Sequence, residues 1–238
     1  MKRNFLFDWY QTPRGKLLQE LEAGYLQRAI TVSCQQTILQ IGGLGWENEF
    51  IDCTLYKSYT ILDAKCLGCH EARKIQAKAY SLPLKSDSVD MIIVPHLLEF
   101  DAYRFRTMRE IERVLKPEGL IVIINFNPWS LWVRYLYLWD IKWADSWRGH
   151  FISRARTLDW LRLLNFEVIM VSEFGLDKVT SKHGKAVTGS GALTATAYAV
   201  KAIKRRYNLI PLTPVTAAKT TLTLANSLHT SMHANHHD

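Results

Sequence analysis

Residues Leu82 to Pro128 read LPLKSDSVDMIIVPHLLEFDAYRFRTMREIERVLKPEGLIVIINFNP, and this stretch decides the fold. A polar turn, Lys85 to Ser88, gives way to an apolar run, Val89 to Val94, with Pro95 and His96 at its end. The helical spacing from Ala102 to Leu115 closes on Lys116-Pro117-Glu118-Gly119, where proline cannot continue a helix and glycine permits positive φ. A second apolar run, Leu120 to Phe126, follows. Two unbroken apolar strands joined through a helix argue for parallel strands covered on both faces, hence an open α/β sheet. Ligands of such sheets sit beyond the carboxyl ends of the strands, which directs attention to the loops starting at Pro95 and Asn125.

Working outward, 238 residues fit one α/β domain with decoration, and 48% hydrophobic content supplies a substantial core. The formal charge of +8 favours an anionic partner. Part of that charge is a local cluster, Lys201, Lys204, Arg205 and Arg206, which argues against a basic surface spread over the whole protein. The amino terminus, MKRNFLFDWYQTPRG, carries too short an apolar stretch for a signal peptide, and no segment reaches membrane-span length. A cytoplasmic protein with reduced thiols at Cys34, Cys53, Cys66 and Cys69 is therefore expected. Cys66-Leu67-Gly68-Cys69-His70 matches the c-type haem attachment pattern, but haem attachment requires export, and zinc would need further ligands such as Cys53. The sequence reading is a tight loop, with no haem and no metal.

Toward the amino terminus, Gly15 to Ala29 is amphipathic, with Leu17, Leu18, Leu21, Tyr25 and Leu26 at helical spacing and Thr12-Pro13 as its start. A helical cap over residues 1–36 then precedes a short strand, Thr37 to Ile41, ending in the turn Gly42-Gly43-Leu44-Gly45. An irregular or helical piece, Trp46 to Leu55, leads to a second strand, Tyr59 to Leu62, ending at Asp63, and Lys74 to Ala79 reads as a third. Beyond the opening stretch, Trp129, Trp132, Trp139, Trp143 and Trp147 recur at near-helical spacing in an insertion over 129–150. A helix, Thr157 to Leu164, a sixth strand, Phe166 to Val171, and a seventh, Thr196 to Ala202, complete an α/β domain over 37–206. The remainder, 207–238, reads as a mobile polar tail with a His-rich end.

Several phrases carry a family resemblance: Leu82-Pro83-Leu84 with Ser88-Val89-Asp90, Arg109 through Gly119, Phe126-Asn127-Pro128, Leu158-Asp159-Trp160-Leu161 and Leu163 through Val168. From about Thr37 to Lys201 the chain resembles class I S-adenosylmethionine-dependent methyltransferases of the type-11 kind, and within them a little-characterised proteobacterial branch. The resemblance implies a Rossmann-like three-layer sandwich around a mostly parallel seven-stranded sheet, order 3-2-1-4-5-7-6, with the last strand antiparallel. It implies S-adenosylmethionine as cofactor.

By the same resemblance the first strand should end in an acid followed by three alternating glycines; here Gln40 stands for the acid, Gly42 for the first glycine, and Leu44 and Trp46 for the others. Gly43 and Gly45 lie one position off and are expected to keep the turn open. A neutral amide at 40 replaces a charge-assisted hydrogen bond with one roughly half as strong. Asp63, with Ala64 beside it, matches the acid that accepts from both ribose hydroxyls. Ala79, Tyr80 and Ser81 fall where adenine is contacted, with Lys78 in place of an acid, and Pro95 and Leu97 where backbone meets the methionine portion.

The implied reaction is methyl transfer to a small hydrophobic or aromatic acceptor, in which positioning supplies much of the catalysis. His96 is the candidate general base, and Asn127, Trp129, Trp132 and Tyr135 are candidate substrate contacts. Three other readings stay open. The Trp-rich segment also suits peripheral membrane contact or base stacking in a nucleic-acid (tRNA) methyltransferase. The eroded turn suits a non-catalytic binding module.

Overall fold

The computed structural model describes residues 5–30, 35–63, 72–131, 151–175 and 195–206. The chain enters through helix α1 (Phe5–Tyr10) and helix α2 (Pro13–Ala29). Thr12 caps α2, its hydroxyl accepting from the Gly15 amide at 3.1 Å, and Pro13 occupies the first turn, where a missing N–H costs nothing. The corner between the helices is tight: a Cβ on Gly15 would stand 2.2 Å from the Trp9 carbonyl. Leu18, Tyr25 and Leu26 are buried as the spacing predicts, whereas Leu17 is 40% exposed, because the helix turns its other side to the sheet.

Seven strands follow: β1 (Thr37–Ile41), β2 (Ser58–Leu62), β3 (Arg73–Ile75), β4 (Val89–Pro95), β5 (Leu115–Phe126), β6 (Phe166–Gly175) and β7 (Ala195–Lys204). They form one sheet of order β3-β2-β1-β4-β5-β7-β6, in which β7 runs antiparallel to both its neighbours and the other pairings are parallel. This is the expected seven-stranded α/β sheet. Helix α3 (Arg104–Val114) joins β4 to β5, and helix α4 (Arg154–Leu163) precedes β6.

The details depart from sequence expectation at the edges. The third strand stops at Ile75, because the chain then turns through an isolated bridge between Lys78 and Ser81. The Lys116 to Gly119 stop is drawn into the start of β5, where Leu115 pairs with Val89 and Glu118 takes φ +60°. The segment between β1 and β2, expected to be irregular or helical, forms two short 3-10 turns, Glu47–Glu49 and Cys53–Leu55.

Two apolar layers hold the sheet. On one face, α1 and α2 bury Phe5, Trp9, Tyr10, Leu18 and Leu26 against Ile38, Ile61, Ile93, Ile124 and Phe126. On the other, Met108, Ile111 and Val114 of α3 and Trp160 and Leu161 of α4 cover Leu39, Ile92, Val94, Ile121 and Ile123. The amino-terminal helices are thus a wall of the core. No helix among the described residues is long and apolar enough to cross a membrane. The expected mobile tail and the Cys66 to His70 motif lie outside the described residues, and among those described no group of three potential ligands is placed to hold a metal ion.

Candidate functional site

Parallel strands carry their loops to one edge, so the carboxyl ends of β1, β2, β4 and β5 share a rim. After β1 the chain turns at Gly42 (φ +97°) and again at Gly45 (φ +90°), a backbone region open to glycine at low cost. Between them the amides face inward to acids of the same chain. Gly43 N donates to Asp63 Oδ2 at the end of β2 (3.0 Å), Leu44 N to Glu47 Oε1 (2.5 Å) and Gly45 N to Glu47 Oε2 (3.0 Å). Gln40, fully buried on β1, gives its Nε2 to Glu47 Oε1 and to the Gly42 carbonyl, both at 2.9 Å, and its Oε1 accepts from the Tyr59 hydroxyl.

Leu44 and Trp46, standing where glycines are expected, are buried. Trp46 packs edge-on against Tyr10 of α1 (5.4 Å) and against Phe50 (5.5 Å), while the Phe7 ring lies 3.0 Å from where a Cβ on Gly45 would be. The turn has therefore exchanged glycine's freedom for packing against α1. The carboxylate of Glu47 accepts from two of its amides, those of Leu44 and Gly45.

His96 follows β4 in the left-handed region (φ +43°), an uncommon conformation for a side-chain-bearing residue and one that must be held by its surroundings. Its amide donates to the Ile124 carbonyl (2.8 Å), and its ring lies 4.1 Å from that of Phe126. Nε2 sits 2.9 Å from Glu22 Oε1 on α2, and Nδ1 sits 3.3 Å from Glu99 Oε1. The other Glu22 oxygen accepts from the Tyr10 hydroxyl (2.8 Å), and Glu99 Oε1 also accepts from the Phe126 amide. All three charged side chains are wholly buried. Burial opposes the imidazolium, but the charges of Glu22 and Glu99 outweigh it and raise His96 to about 9. His96 is thus protonated at neutral pH, with both ring nitrogens engaged by carboxylates.

The other expected site residues distribute as follows. Ala79 and Tyr80 are half-buried and Ser81 exposed in the turn after β3. There Tyr80 stacks at a tilt on Tyr103 (4.6 Å), and Lys78 Nζ lies 5.6 Å above the Tyr80 ring. Pro95 is buried and Leu97 half-buried at the mouth. Asn127 fixes the turn after β5, its Nδ2 donating to the Ala195 carbonyl (3.0 Å) and its Oδ1 accepting from the Trp129 amide (3.1 Å). The Trp129 side chain is 57% exposed. Ala64, Trp132 and Tyr135 lie outside the described residues.

Sequence reasoning missed Glu22, Glu47, Glu99 and Tyr10. A signal existed for one of them. Glu22 falls at helical spacing between Leu18 and Leu26, a carboxylate on the buried stripe of α2, and a buried acid demands a partner.

Four carboxylates, those of Glu22, Glu47, Asp63 and Glu99, and the imidazolium of His96 are gathered around the ends of β1, β2 and β4, a surplus of negative charge within this group. An anionic surplus of this kind fits a cationic ligand. S-adenosylmethionine, with a sulfonium and an ammonium against one carboxylate, matches it in charge, and an acceptor-only carboxylate at the end of β2 suits a ribose diol.

Comparison with known proteins bears on the family and the fold. A family model described as "Methyltransferase domain" matches residues 51–123. The uncharacterized protein YafS of Escherichia coli K12 is 30% identical over 176 residues, spanning 74% of this chain and 71% of that protein. The fold is shared with a SAM-dependent methyltransferase from Archaeoglobus fulgidus (TM-score 0.59, 20% identity, 85% of this chain and 100% of that one). It is shared also with an S-adenosylmethionine-dependent methyltransferase from Mesorhizobium loti (TM-score 0.59, 18% identity, 79% and 99%).

Proposed function

The chain belongs to the methyltransferase-domain family, and from that premise we propose that it transfers the methyl group of S-adenosylmethionine to a small hydrophobic or aromatic acceptor. One observation carries the reading. The glycine turn and the Asp63 carboxylate converge through the Gly43 N to Asp63 bond at the carboxyl ends of β1 and β2, within the anionic rim that a cationic cofactor requires.

When bound, the cofactor supplies a methyl group already made electrophilic by its cationic sulfur. What the protein adds is position. Asp63 takes the ribose hydroxyls, Gly42 and Gly43 let backbone approach the methionine portion, and Ala79, Tyr80 and Ser81 border the adenine. Pro95 and Leu97 line the mouth between β4 and β5, and the acceptor approaches from the side of Asn127 and Trp129. His96 serves this arrangement by position. A protonated imidazole held by two carboxylates accepts no proton, so the geometry supports an anchor for α2 better than a general base.

Isothermal titration with S-adenosylmethionine tests the proposal, with binding expected at micromolar to submillimolar concentration. An absence of heat and of thermal shift at millimolar cofactor would remove it. A second reading, a binding module without methyl transfer, is favoured by one feature: Leu44 and Trp46 are built into the core against α1. Cofactor binding without turnover across a panel of phenols, catechols and aromatic amines would favour that reading.

A further inference from the structure

The cofactor turn lacks an acid at Gln40, yet a carboxylate stands within hydrogen-bond reach of that side chain. Glu47 is seven residues further on, and its Oε1 accepts from Gln40 Nε2 at 2.9 Å. The same carboxylate accepts from the amides of Leu44 and Gly45. Nothing of its side chain reaches solvent. A buried charge is costly unless it is met by donors, and these three contribute to stabilising it there.

Gln40 is equally committed. Tyr59 donates to its Oε1, and its Nε2 is shared between Glu47 and the Gly42 carbonyl. Its amide is therefore a bridge, oriented by one neighbour and passing the influence of the Glu47 charge to the first glycine of the turn. The short 3-10 turn Glu47–Glu49 places Glu47 beneath the loop, where a regular crossover helix starting at the same point would direct its first side chains differently.

We infer that Glu47 is the relocated acid of the cofactor turn: its carboxylate, acting through Gln40 and the Leu44 and Gly45 amides, sets the turn and the local negative potential that an acid at position 40 would otherwise supply. Glu47 is a positioning residue, since it reaches the ligand only through other groups. The inference rests on the proposed binding of S-adenosylmethionine. It adds that acid and amide form an exchangeable pair, so that an amide at position 40 with an acid at position 47, and the reverse order, are two solutions to one electrostatic requirement.

The exchange can be made. Glu47→Gln keeps size but loses the charge and turns an amino group toward a backbone N–H, and S-adenosylmethionine should bind about tenfold or more weakly. Gln40→Glu alone brings a second carboxylate against Glu47 and removes the donor to Gly42, and should also weaken binding by about tenfold. The double variant Q40E/E47Q restores one carboxylate facing one amide, though not the donor to Gly42, and should bind more tightly than either single variant. Binding is read by calorimetry, and unfolding midpoints without ligand separate affinity from stability.

Wild-type affinity in E47Q, or a double variant no tighter than either single one, overturns the inference while leaving the proposed function standing. No binding by the wild-type protein removes both. If E47Q does not fold, Q40E and the double variant decide the matter. If the double variant does not fold either, Glu47 is required where it stands and cannot be exchanged with position 40, which also overturns the inference.

Discussion

His96 Nε2 at the end of β4 lies 2.9 Å from Glu22 Oε1 in the middle of α2, a contact between residues 74 apart in the chain. With Glu99 on the other ring nitrogen and Tyr10 on the far oxygen of Glu22, it ties α1, α2, the β4 loop and the end of β5 into one buried group. The amino-terminal helices are held over the site by charge as well as by apolar packing.

Stability should therefore depend on alkaline pH. His96 is raised from 6.5 to about 9 in the folded protein, so its contribution is complete below about pH 6.5 and is lost as pH rises through about 9. The loss is on the order of 3 kcal/mol. Urea midpoints between pH 6 and 10 should fall across this window, and the fall attributable to His96 should vanish in His96→Gln. An equal slope in both proteins would show that the clamp is not what titrates.

Removing one arm of the clamp should cost more than removing its outer hydroxyl. Glu22→Ala removes the carboxylate at Nε2 of the imidazolium and opens a void, for a loss of about 3 kcal/mol or more. Tyr10→Phe deletes a single hydrogen bond to a charged oxygen, for about 2 kcal/mol. Equilibrium unfolding of the two variants measures the order, and a costlier Tyr10→Phe would contradict it.

Gly15→Ala tests how α1 reaches the site. The added methyl meets the Trp9 carbonyl at 2.2 Å and the Tyr10 Cα at 2.7 Å, and backbone at both contacts leaves no side chain free to swing aside. The corner must open. A destabilisation of about 2 kcal/mol is expected, together with a change in Trp9 fluorescence, whose ring now packs edge-on against Phe126 at 5.7 Å.

Asp63→Ala should weaken S-adenosylmethionine by tenfold or more, through the lost bonds to the ribose. The variant also forfeits the acceptor of the Gly43 amide. Asp63→Asn, which retains an acceptor, should bind with intermediate affinity in the same titration. Equal affinity in Asp63→Ala and wild type would refute the ribose assignment.

Lys204, near the opposite edge of the sheet, offers a control remote from the site. Its Nζ donates to the carbonyls of Glu112 (2.6 Å) and Leu115 (2.7 Å) and to Asp87 Oδ1 (3.1 Å), stitching β7 to the carboxyl end of α3. Lys204→Met should lower stability by about 2 kcal/mol and leave cofactor affinity unchanged, provided the ladder between β5 and β7 persists.

The architecture was legible in the sequence because it rests on short-range periodicity. The apolar runs of β4 and β5, the helical spacing of α3 between them, and the strand ends at Ile41 and Leu62 are each decided by residues a few positions apart, and family phrases such as Arg109 to Gly119 fixed the strand order. Asp63, Gly42 and Gly45 were legible as candidate positions because the family resemblance aligns them with the ends of β1 and β2 or close to them. Tertiary structure alone decided the partners. Glu22 faces His96, Glu47 lies under Gln40, and Glu99 meets both His96 and the Phe126 amide. Such pairings depend on how α2 crosses the sheet and where a crossover helix gives way to 3-10 turns. The charge state of His96 followed from the same packing: an unperturbed imidazole suits proton transfer at neutral pH, whereas one buried between two carboxylates keeps its proton and becomes the anchor of the wall beside it.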